Sequence, residues 1–298
     1  MISFQKSETS YSPALPAATR LGTVHYTVAS LDRQVRFYQQ VLGFQLHWRE
    51  GSEAGLGAGG EDLLRLRELP GAIRARGTTG LYHTAFLVPN RWELAQLLKR
   101  IAETQTPIQG LMDHVTHHAI YLPDAEGNGI ELAWDRPREQ WPRSFEEMMR
   151  RNRSLPPQEI FEALEHRPEE WAGLDAATKV GHIHLHVAQL APSERFYREV
   201  LGFDIPLGMR MDSAVFFSAG GYHHHVATNI WQGAGAPPPP ENATGLRYFT
   251  VTLPEASELE RVLAHVEAAG LSISETDQGT LVRDPSQNGI VLSTPTAG

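Results

Sequence analysis

A stretch that occurs twice in the chain decides the fold. Residues 22–44 read GTVHYTVASLDRQVRFYQQVLGF and residues 181–203 read GHIHLHVAQLAPSERFYREVLGF, so an FY pair and a VLGF run recur 159 residues apart (181 against 22). Two further matched pairs follow in the same order: GLYHTAFLVP at 80–89 with GLRYFTVTLP at 245–254, and GNGIEL at 127–132 with QNGIVL at 287–292. Ordered matches at a nearly constant spacing indicate an internal duplication.

The composition is that of a folded protein with a particular set of metal ligands. The 298 residues are 41% hydrophobic and 20% charged, which excludes a disordered chain, and no apolar run is long enough to span a membrane. The net charge of -9 argues against nucleic acid as the main partner. With 14 histidines and no cysteine, a metal site would use His and carboxylate ligands, which suit Zn, Fe, Mn or Ni. Residues 1–18 lack the pattern of a secretory signal, so we expect a cytoplasmic protein.

Each half of the chain divides into two similar units. In the first unit, residues 24–28 alternate as a strand and residues 32–41 follow at helical spacing, with Gly43 ending the helix. The order of strand, helix and about three further strands occurs four times, starting near residues 22, 80, 181 and 245. We therefore predict an α+β fold in which four βαβββ modules form two open, barrel-like mixed sheets.

The same units predict the domain organisation. Residues 19–135 would form a first domain from modules one and two, and residues 179–298 a second domain from modules three and four. Residues 136–178 form a polar linker with helical segments, because they contain Pro and helix-like patches and are too long for a turn. A linker of this length can carry the chain far enough for modules of different halves to pair.

The repeat separates two sets of residues at matched positions. The first strands of the four modules carry Thr23, His83, His182 and Tyr248, and the last strands of modules two and four carry Glu131 and Val291. His83, His182 and Glu131 can bind a metal, whereas the other three cannot, so duplication with loss predicts one competent set and one blank set. Two His and one carboxylate on one side of a metal leave positions open, as in non-haem Fe(II) oxygenases, although Zn or Ni suits the ligands too.

Several aromatic residues are candidates for the same cavity. Phe217, Phe249, Trp231 and Trp134 could face a substrate, although core packing is the favoured interpretation. His117 and His118 are adjacent in a strand and must face opposite ways, so at most one of them can reach the cavity.

The units resemble those of the vicinal oxygen chelate superfamily, which includes glyoxalase I, bleomycin-resistance proteins and type I extradiol ring-cleaving dioxygenases. The resemblance covers about residues 22–134 and 181–294 and is closest to the tandem-domain catechol-2,3-dioxygenase group. The family's first ligand opens a strand as GH, its second lies in a segment like LYHTAF, and its third closes a segment like DAEGNGIE. The resemblance thus implies His182, His83 and Glu131 as ligands of Fe(II), or of Mn(II), with O2 as co-substrate.

The resemblance also implies three catalytic residues. A family tyrosine lies ten residues before the glutamate, which is Tyr121 here (131 against 121). His114, in DHVTHHAIY, takes the place of a substrate-binding histidine, with a shorter interval to the tyrosine. His224 matches an acid/base histidine in an H-x-[VL]-A strand, and the run of histidines at 223–225 leaves the register open by one residue.

The position of the ligands in the chain leaves alternatives open. His182 lies in the second half, whereas His83 and Glu131 lie in the first. Modules two and three must therefore pair, either within one chain, which we favour, or by exchange of halves in a dimer. A set of His25, His83 and Glu131 within the first half is a weaker alternative, because His25 lies two residues deeper than the matched position.

The function implied by the resemblance is extradiol cleavage of catechol or a substituted catechol. The expected partner is a small aromatic diol, with no nucleic acid and no membrane, and we expect a homo-oligomer. One rival is a glyoxalase-type metal isomerase or lyase, which would use four ligands with more carboxylate. The other is a non-enzymatic small-molecule-binding protein of this fold, which would lack the metal set.

Overall fold

The protein is described by a computed structural model that covers residues 14–165 and 170–295. Residues 1–13, part of the segment searched for a signal, and residues 296–298, the end of the second predicted domain, lie outside the described residues. No helix within the two described ranges is long and apolar enough to cross a membrane.

The four predicted modules are present, each with its helix after the first strand. Module one contains β1 (Arg20–Val28), α1 (Leu31–Gln40), β2 (Gln45–Glu50), β3 (Glu53–Gly57) and β4 (Asp62–Glu68), followed by the short β5 (Ile73–Arg74). Module two contains β6 (Gly80–Leu87), α2 (Arg91–Glu103), β7 (Gly110–Asp113), β8 (His117–Pro123) and β9 (Gly129–Asp135). The linker adds α3 (Phe145–Arg151), β10 (Arg153–Ser154) and α4 (Pro157–Phe161).

The second half repeats this order with one irregular helix. Module three contains β11 (Lys179–His186), α5 (Leu190–Glu194), β12 (Arg210–Met211), β13 (Ala214–Phe217) and β14 (Val226–Asn229). Module four contains β15 (Ala243–Thr252), α6 (Ala256–Ala268), β16 (Ser274–Thr276), β17 (Gly279–Arg283) and β18 (Gly289–Ser293). Helix α5 continues as a wider π-helix over Arg195–Val200. The predicted α+β fold is therefore confirmed.

The modules form two mixed sheets that join the halves of the chain. Within the described residues, the first sheet has the order β16-β17-β18-β15-β1-β4-β3-β2, with β5 beside β15, and the second has the order β10-β7-β8-β9-β6-β11-β14-β13-β12. The central antiparallel pairs are β1 with β15 and β6 with β11. Modules one and four therefore share the first sheet, and modules two and three share the second within one chain.

The strand register places the repeated residues at equivalent points of the two sheets. His83 lies opposite His184 in the second sheet, and Tyr248 lies opposite His25 in the first. The last strands run beside them in parallel, with Ala85 opposite Glu131 and Thr250 opposite Val291. The competent and blank sets of the sequence are thus matched positions on two equivalent sheets.

Hydrogen bonds between modules of the same half hold the two sheets together. The hydroxyl of Tyr38 on α1 lies 3.3 Å from Asp124 Oδ2, in the turn between β8 and β9. The hydroxyl of Tyr197 lies 3.1 Å from Asp284 Oδ2, in the turn between β17 and β18. All four residues are buried. In each half, the tyrosine of the repeated FY pair therefore hydrogen-bonds the aspartate of the repeated turn.

The cores lie between each sheet and its helices. On α1, Leu31, Val35 and Tyr38 form the buried face, as the helical spacing predicts. The N-cap Ser30 accepts a hydrogen bond from the Arg33 backbone N–H at 3.4 Å. Beyond the helix, Gly43 has a φ of 70°, which an L side chain rarely adopts, and the chain turns there into β2.

Candidate metal centre and substrate cavity

His83, Glu131 and His182 meet on three neighbouring strands of the second sheet, β6, β9 and β11. His182 Nε2 lies 2.9 Å from Glu131 Oε2, and His83 Nε2 lies 3.1 Å from the same oxygen. All three side chains are buried, and one ligand atom from each lies within 4.8 Å of the others. The structure therefore brings together the three residues that the repeat identifies as the competent set.

The donor atoms fit a divalent metal ion. His83 Nε2 and Glu131 Oε1 are buried and make no well-aligned hydrogen bond to any described residue, although His83 Nε2 lies 3.1 Å from Glu131 Oε2 and His117 Nε2 lies 3.0 Å from Glu131 Oε1. Buried polar atoms without a partner are uncommon, and a bound ion is one of the groups that would satisfy them. Ligand atoms about 2 Å from a shared ion lie roughly 3 Å apart when they occupy adjacent positions. The observed separations have that size, and the donor set of two imidazoles and a carboxylate suits Fe(II).

The histidines around Glu131 hold it in its charged form. Burial alone would raise its pKa, but His182 and the other neighbouring imidazoles outweigh burial and hold the pKa of Glu131 well below its usual value. Burial lowers the pKa of His182, and the Glu131 carboxylate only partly opposes that effect. The site therefore presents a carboxylate and neutral imidazole, the forms that bind metal.

Among the described residues, two other groups of side chains are close enough to be considered as metal ligands. They are His182 with His223 and His224, and His117 with Asp135 and His223. Their atoms also lie within hydrogen-bond distance of one another: His223 Nε2 is 3.0 Å from Asp135 Oδ1, and the Nδ1 atoms of His223 and His224 are 2.9 Å apart. Of these three groups of described residues, the set on β6, β9 and β11 is the one that combines a carboxylate with buried atoms that make no well-aligned hydrogen bond.

The residues nominated by resemblance as catalytic line the cavity beside these ligands. His114 Nε2 and the Tyr121 hydroxyl are 2.8 Å apart, and Tyr121 on β8 lies opposite Glu131 on β9. Burial lowers the pKa of His114 to about 3 and raises the pKa of Tyr121 well above its usual value. At pH 7 the pair is therefore a neutral imidazole and a neutral phenol, which can exchange one hydrogen bond.

The run of three histidines has a definite register in the structure. The His224 ring centroid is 4.0 Å from that of His182, and His224 lines the cavity. His223 turns to Asp135, and His225 Nδ1 accepts a hydrogen bond from the Ala219 backbone N–H at 3.2 Å. Burial, with His182 and His223 nearby, holds the pKa of His224 well below its usual value.

The structure adds a histidine that sequence reasoning did not assign to the site. His117 Nε2 lies 3.0 Å from Glu131 Oε1, and this carboxylate outweighs burial and raises the pKa of His117. His118 faces away, 3.8 Å from Asp113 Oδ2, so the expected alternation of these two histidines is confirmed. His117 and Tyr121 are separated by an even number of residues on one strand, so they share one face of the sheet. That spacing was the signal that could have identified His117.

The alternative site in the first half is not assembled. His25 lies on β1 in the first sheet, where its ring stacks on Tyr248 at 4.2 Å between centroids. His83 and Glu131 lie in the second sheet. The structure therefore does not bring these three residues together.

The cavity in front of the proposed ligands has a volume of about 450 Å³. Its walls are mainly apolar and include every methionine in the described part of the chain: Met112, Met148, Met149, Met209 and Met211. Helix α3 of the linker contributes two of these methionines and Phe145. Sequence reasoning assigned no role to this helix, because its docking over the cavity is a tertiary contact.

The four apolar candidates from the sequence take different places. Trp231 lines the cavity and is 47% exposed at its rim. Phe217 and Phe249 are fully buried in the core. Trp134 packs edge-on against His118 and beneath the guanidinium of Arg91. Core or structural packing thus accounts for three of them.

Comparison with known proteins agrees with this fold. The family profile described as "Glyoxalase/Bleomycin resistance protein/Dioxygenase superfamily" matches residues 20–132 and 179–292. A Bacillus subtilis (strain 168) protein named "Catechol-2,3-dioxygenase" is 44% identical over 271 residues, which covers 90% of this chain and 94% of the relative.

Solved structures share the fold at low sequence identity. A crystal structure from Bacillus subtilis subsp. subtilis str. 168 aligns with a TM-score of 0.64 and 12% identity, over 96% of this chain and 87% of the other. Glyoxalase I from Zea mays aligns with a TM-score of 0.56 and 16% identity, over 92% of each chain. At these identities the likeness concerns the fold alone.

Proposed function

Since the chain belongs to the glyoxalase/bleomycin resistance protein/dioxygenase superfamily, we propose that it is an extradiol dioxygenase that uses Fe(II) and O2 to open a catechol ring beside its two hydroxyl groups. The observation that carries the proposal is the convergence of His83, His182 and Glu131 at the base of an apolar cavity. The relative named catechol-2,3-dioxygenase supports the same reaction class.

The three ligands leave room for a chelating substrate. His83 and His182 would each give one nitrogen to the ion, and Glu131 one oxygen, so that the positions facing the cavity remain open. When bound, Fe(II) would polarise the two diol oxygens, lower the pKa values of their hydroxyls and pass electrons between the ring and O2. Mn(II) suits the same ligands.

The surrounding side chains would handle protons and hold the diol. His224 lines the cavity beside His182, so it can take a proton from a substrate hydroxyl and return it after ring opening. His114 and Tyr121, which also line the cavity and lie 2.8 Å apart, would hydrogen-bond the substrate. The carbon–carbon bond next to the diol breaks, and both atoms of O2 enter the product, which carries a new carboxylate and a new carbonyl group.

The walls of the cavity favour an uncharged, apolar-substituted ring. Five methionines, Phe216 and Trp231 line it, and methionine adapts its shape to irregular apolar ligands. A volume of about 450 Å³ exceeds what a single ring requires. We therefore propose alkyl- or aryl-substituted catechols as the substrate class.

The experiment that tests the proposal combines metal analysis with a spectral assay. Protein purified without oxygen should contain about one Fe per chain and should convert catechol and 4-methylcatechol to a yellow ring-opened product. Bound Zn, with no product after Fe(II) is restored, would exclude the dioxygenase. Turnover of a hemithioacetal under those conditions would instead identify a glyoxalase-type isomerase. Light scattering on the same sample tests the expected homo-oligomer.

A further inference from the structure

The first sheet also lines a cavity, which includes Tyr248 and His25, the residues matched by the repeat to His83 and His184 of the second sheet. Its volume is about 1090 Å³. Three carboxylates line it against six arginines, although the chain as a whole has a net charge of -9. The arginines of this cleft are Arg65, Arg67, Arg74, Arg76, Arg247 and Arg283. We refer to it as the arginine cleft.

Most of these arginines lack a carboxylate partner. Arg65 pairs with Asp62 and Asp277, and Arg67 lies 3.6 Å from Glu53. The other four make no ion pair within the two described ranges of the chain. Arg283 donates to the Gln287 backbone carbonyl at 2.9 Å. Like charges gathered in one cleft repel one another, so the arginine cleft has positive charge that an anion would neutralise.

The blank site of the first sheet is built around a guanidinium rather than a metal. Arg65 Nε lies 2.8 Å from Asp62 Oδ2, and Arg65 Nη1 lies 3.3 Å from Asp277 Oδ2. Asp277 lies 14 residues before Val291, as His117 lies 14 residues before Glu131. A guanidinium bound by two carboxylates occupies this point, so the positive charge available to an anion comes from the other arginines of the cleft.

A buried imidazole at the base of the cleft lacks a partner. His25 lines the cleft and is only 6% exposed, and its Nε2 makes no hydrogen bond to any described residue. One face of its ring is covered by Tyr248, over which the Arg247 guanidinium lies 5.8 Å from the ring centroid. An uncharged imidazole can donate to a ligand oxygen, and an aromatic face beside it can stack on a planar group.

We propose that the arginine cleft binds a small organic anion that carries a carboxylate or phosphate group. Arg247 and Arg74 would bind its oxygens, because the guanidinium fork matches both groups. Tyr248 would pack against its carbon skeleton. This binding does not depend on ring cleavage.

The cleft borders the substrate cavity of the second sheet. Tyr82, Gln109 and Gly129 line both spaces. The carboxylate product of the proposed reaction is therefore one source of the anion, a source that rests on the proposed function. A phosphate ester from elsewhere is the other source, and it needs no ring cleavage.

Calorimetric titration at low ionic strength tests the site with two probes, benzoate and inorganic phosphate. The wild-type protein should bind at least one of them, with and without Fe(II), and added NaCl should weaken that binding. The Arg247→Gln and Arg74→Gln variants should each bind about tenfold or more weakly. Binding of benzoate alone assigns a carboxylate ligand, and binding of phosphate alone assigns a phosphate ester.

A matched control separates a site from general electrostatics. Arg36→Gln removes the same charge from an exposed position on α1 outside the cleft and should leave affinity unchanged. An equal loss in this control, or no binding of either probe to the wild-type protein, would overturn the proposal. Arg283→Gln, at another exposed position of the cleft, provides a replacement if a first variant fails to fold. Ring-cleavage activity should survive in each variant, so the two proposals fail independently.

Discussion

Glu131 Oε2 lies 2.9 Å from His182 Nε2, although the two residues come from opposite halves of the chain. The contact exists because β6 pairs with β11, while β9 runs along the other side of β6. The proposed metal site therefore lies at a junction between the halves. Its matched positions in the first sheet supply a control for each substitution.

Replacing a proposed ligand should remove the metal. His182→Ala leaves two of the three donor atoms, and we expect stoichiometric iron to be lost and ring cleavage to fall by more than about 100-fold, since even the supporting partners of ligands change affinity by about 10- to 100-fold. Thr23→Ala, at the matched position of the first sheet, should retain the metal. Iron content by mass spectrometry of the purified proteins checks this. Retention of iron in His182→Ala would mean that another group of histidines is the site.

The contact between His117 and Glu131 should tune the metal site without forming it. His117→Asn removes the imidazole 3.0 Å from Glu131 Oε1, so we expect Fe(II) affinity to fall by about 10- to 100-fold. His118→Asn changes the neighbouring side chain that faces Asp113 and should leave the affinity nearly unchanged. Competition for Fe(II) with a calibrated chelator measures both. Equal effects of the two changes would show that strand stability, and not orientation of Glu131, is involved.

The buried imidazole of His25 should make stability depend on pH. Burial, helped by Arg65 and Arg247, lowers its pKa from 6.5 to about 3. Below about pH 6.5 the unfolded chain binds a proton that the folded chain does not. The free energy of unfolding is therefore unaffected by His25 above that pH and decreases as the pH falls towards 3. Between pH 7 and pH 5 this group should cost up to about 2 kcal/mol.

The His25→Asn variant isolates this contribution. The other buried histidines contribute to both proteins and cancel in the comparison. Urea unfolding of metal-free protein at the two pH values should therefore show a smaller decrease in the free energy of unfolding for the variant than for the wild type. The same decrease in both would rule out a buried neutral His25.

The methionine walls should control which substituted catechols are accepted. Met112→Ala removes part of the apolar wall, and we expect kcat/KM for 4-alkylcatechols to fall by about tenfold, since an apolar group of this size contributes roughly 1–3 kcal/mol to discrimination. Catechol itself should be affected less. Met112→Leu preserves the volume and should behave like the wild type. If both substrates lose activity equally in Met112→Ala, the residue supports the fold and does not contact the substituent.

Tyr38 and Tyr197, at matched positions of the repeat, should stabilise the chain to a similar degree. Tyr38→Phe and Tyr197→Phe each remove one hydrogen bond to a buried aspartate, and each should lower the free energy of unfolding by about 1–3 kcal/mol. Denaturant unfolding measures both variants. If one variant has a lower free energy of unfolding and the other does not, the two turns are not equivalent.

The parts of the molecule that the sequence predicts are those with local or repeated constraints. Gly43 ends a helix because glycine readily adopts a positive φ, and the Asn-Gly turn recurs because Asp124 and Asp284 accept hydrogen bonds inside it. The matched positions of His83 and Tyr248 follow from counting along the repeat. These features need no knowledge of the tertiary structure.

Other features depend on packing and could not be predicted from spacing. His117 reaches Glu131 only because β8 pairs with β9 in one register, with Tyr121 opposite the glutamate. Met148 and Met149 line the cavity because the linker folds back over the second sheet. The arginine cleft is lined by residues as far apart in the sequence as Arg74 and Arg283. Such contacts arise from how the modules dock.

Because modules of different halves pair, the two halves of the chain pack against each other as two different subunits would in a heterodimer. Each half supplies one central strand to each of the two sheets. A half synthesised alone would therefore expose the unpaired edges of two long strands. Such a fragment could hide these edges only against the complementary fragment or a second copy of itself. The two fragments produced together should therefore reassociate, and neither fragment by itself would contain His83, Glu131 and His182.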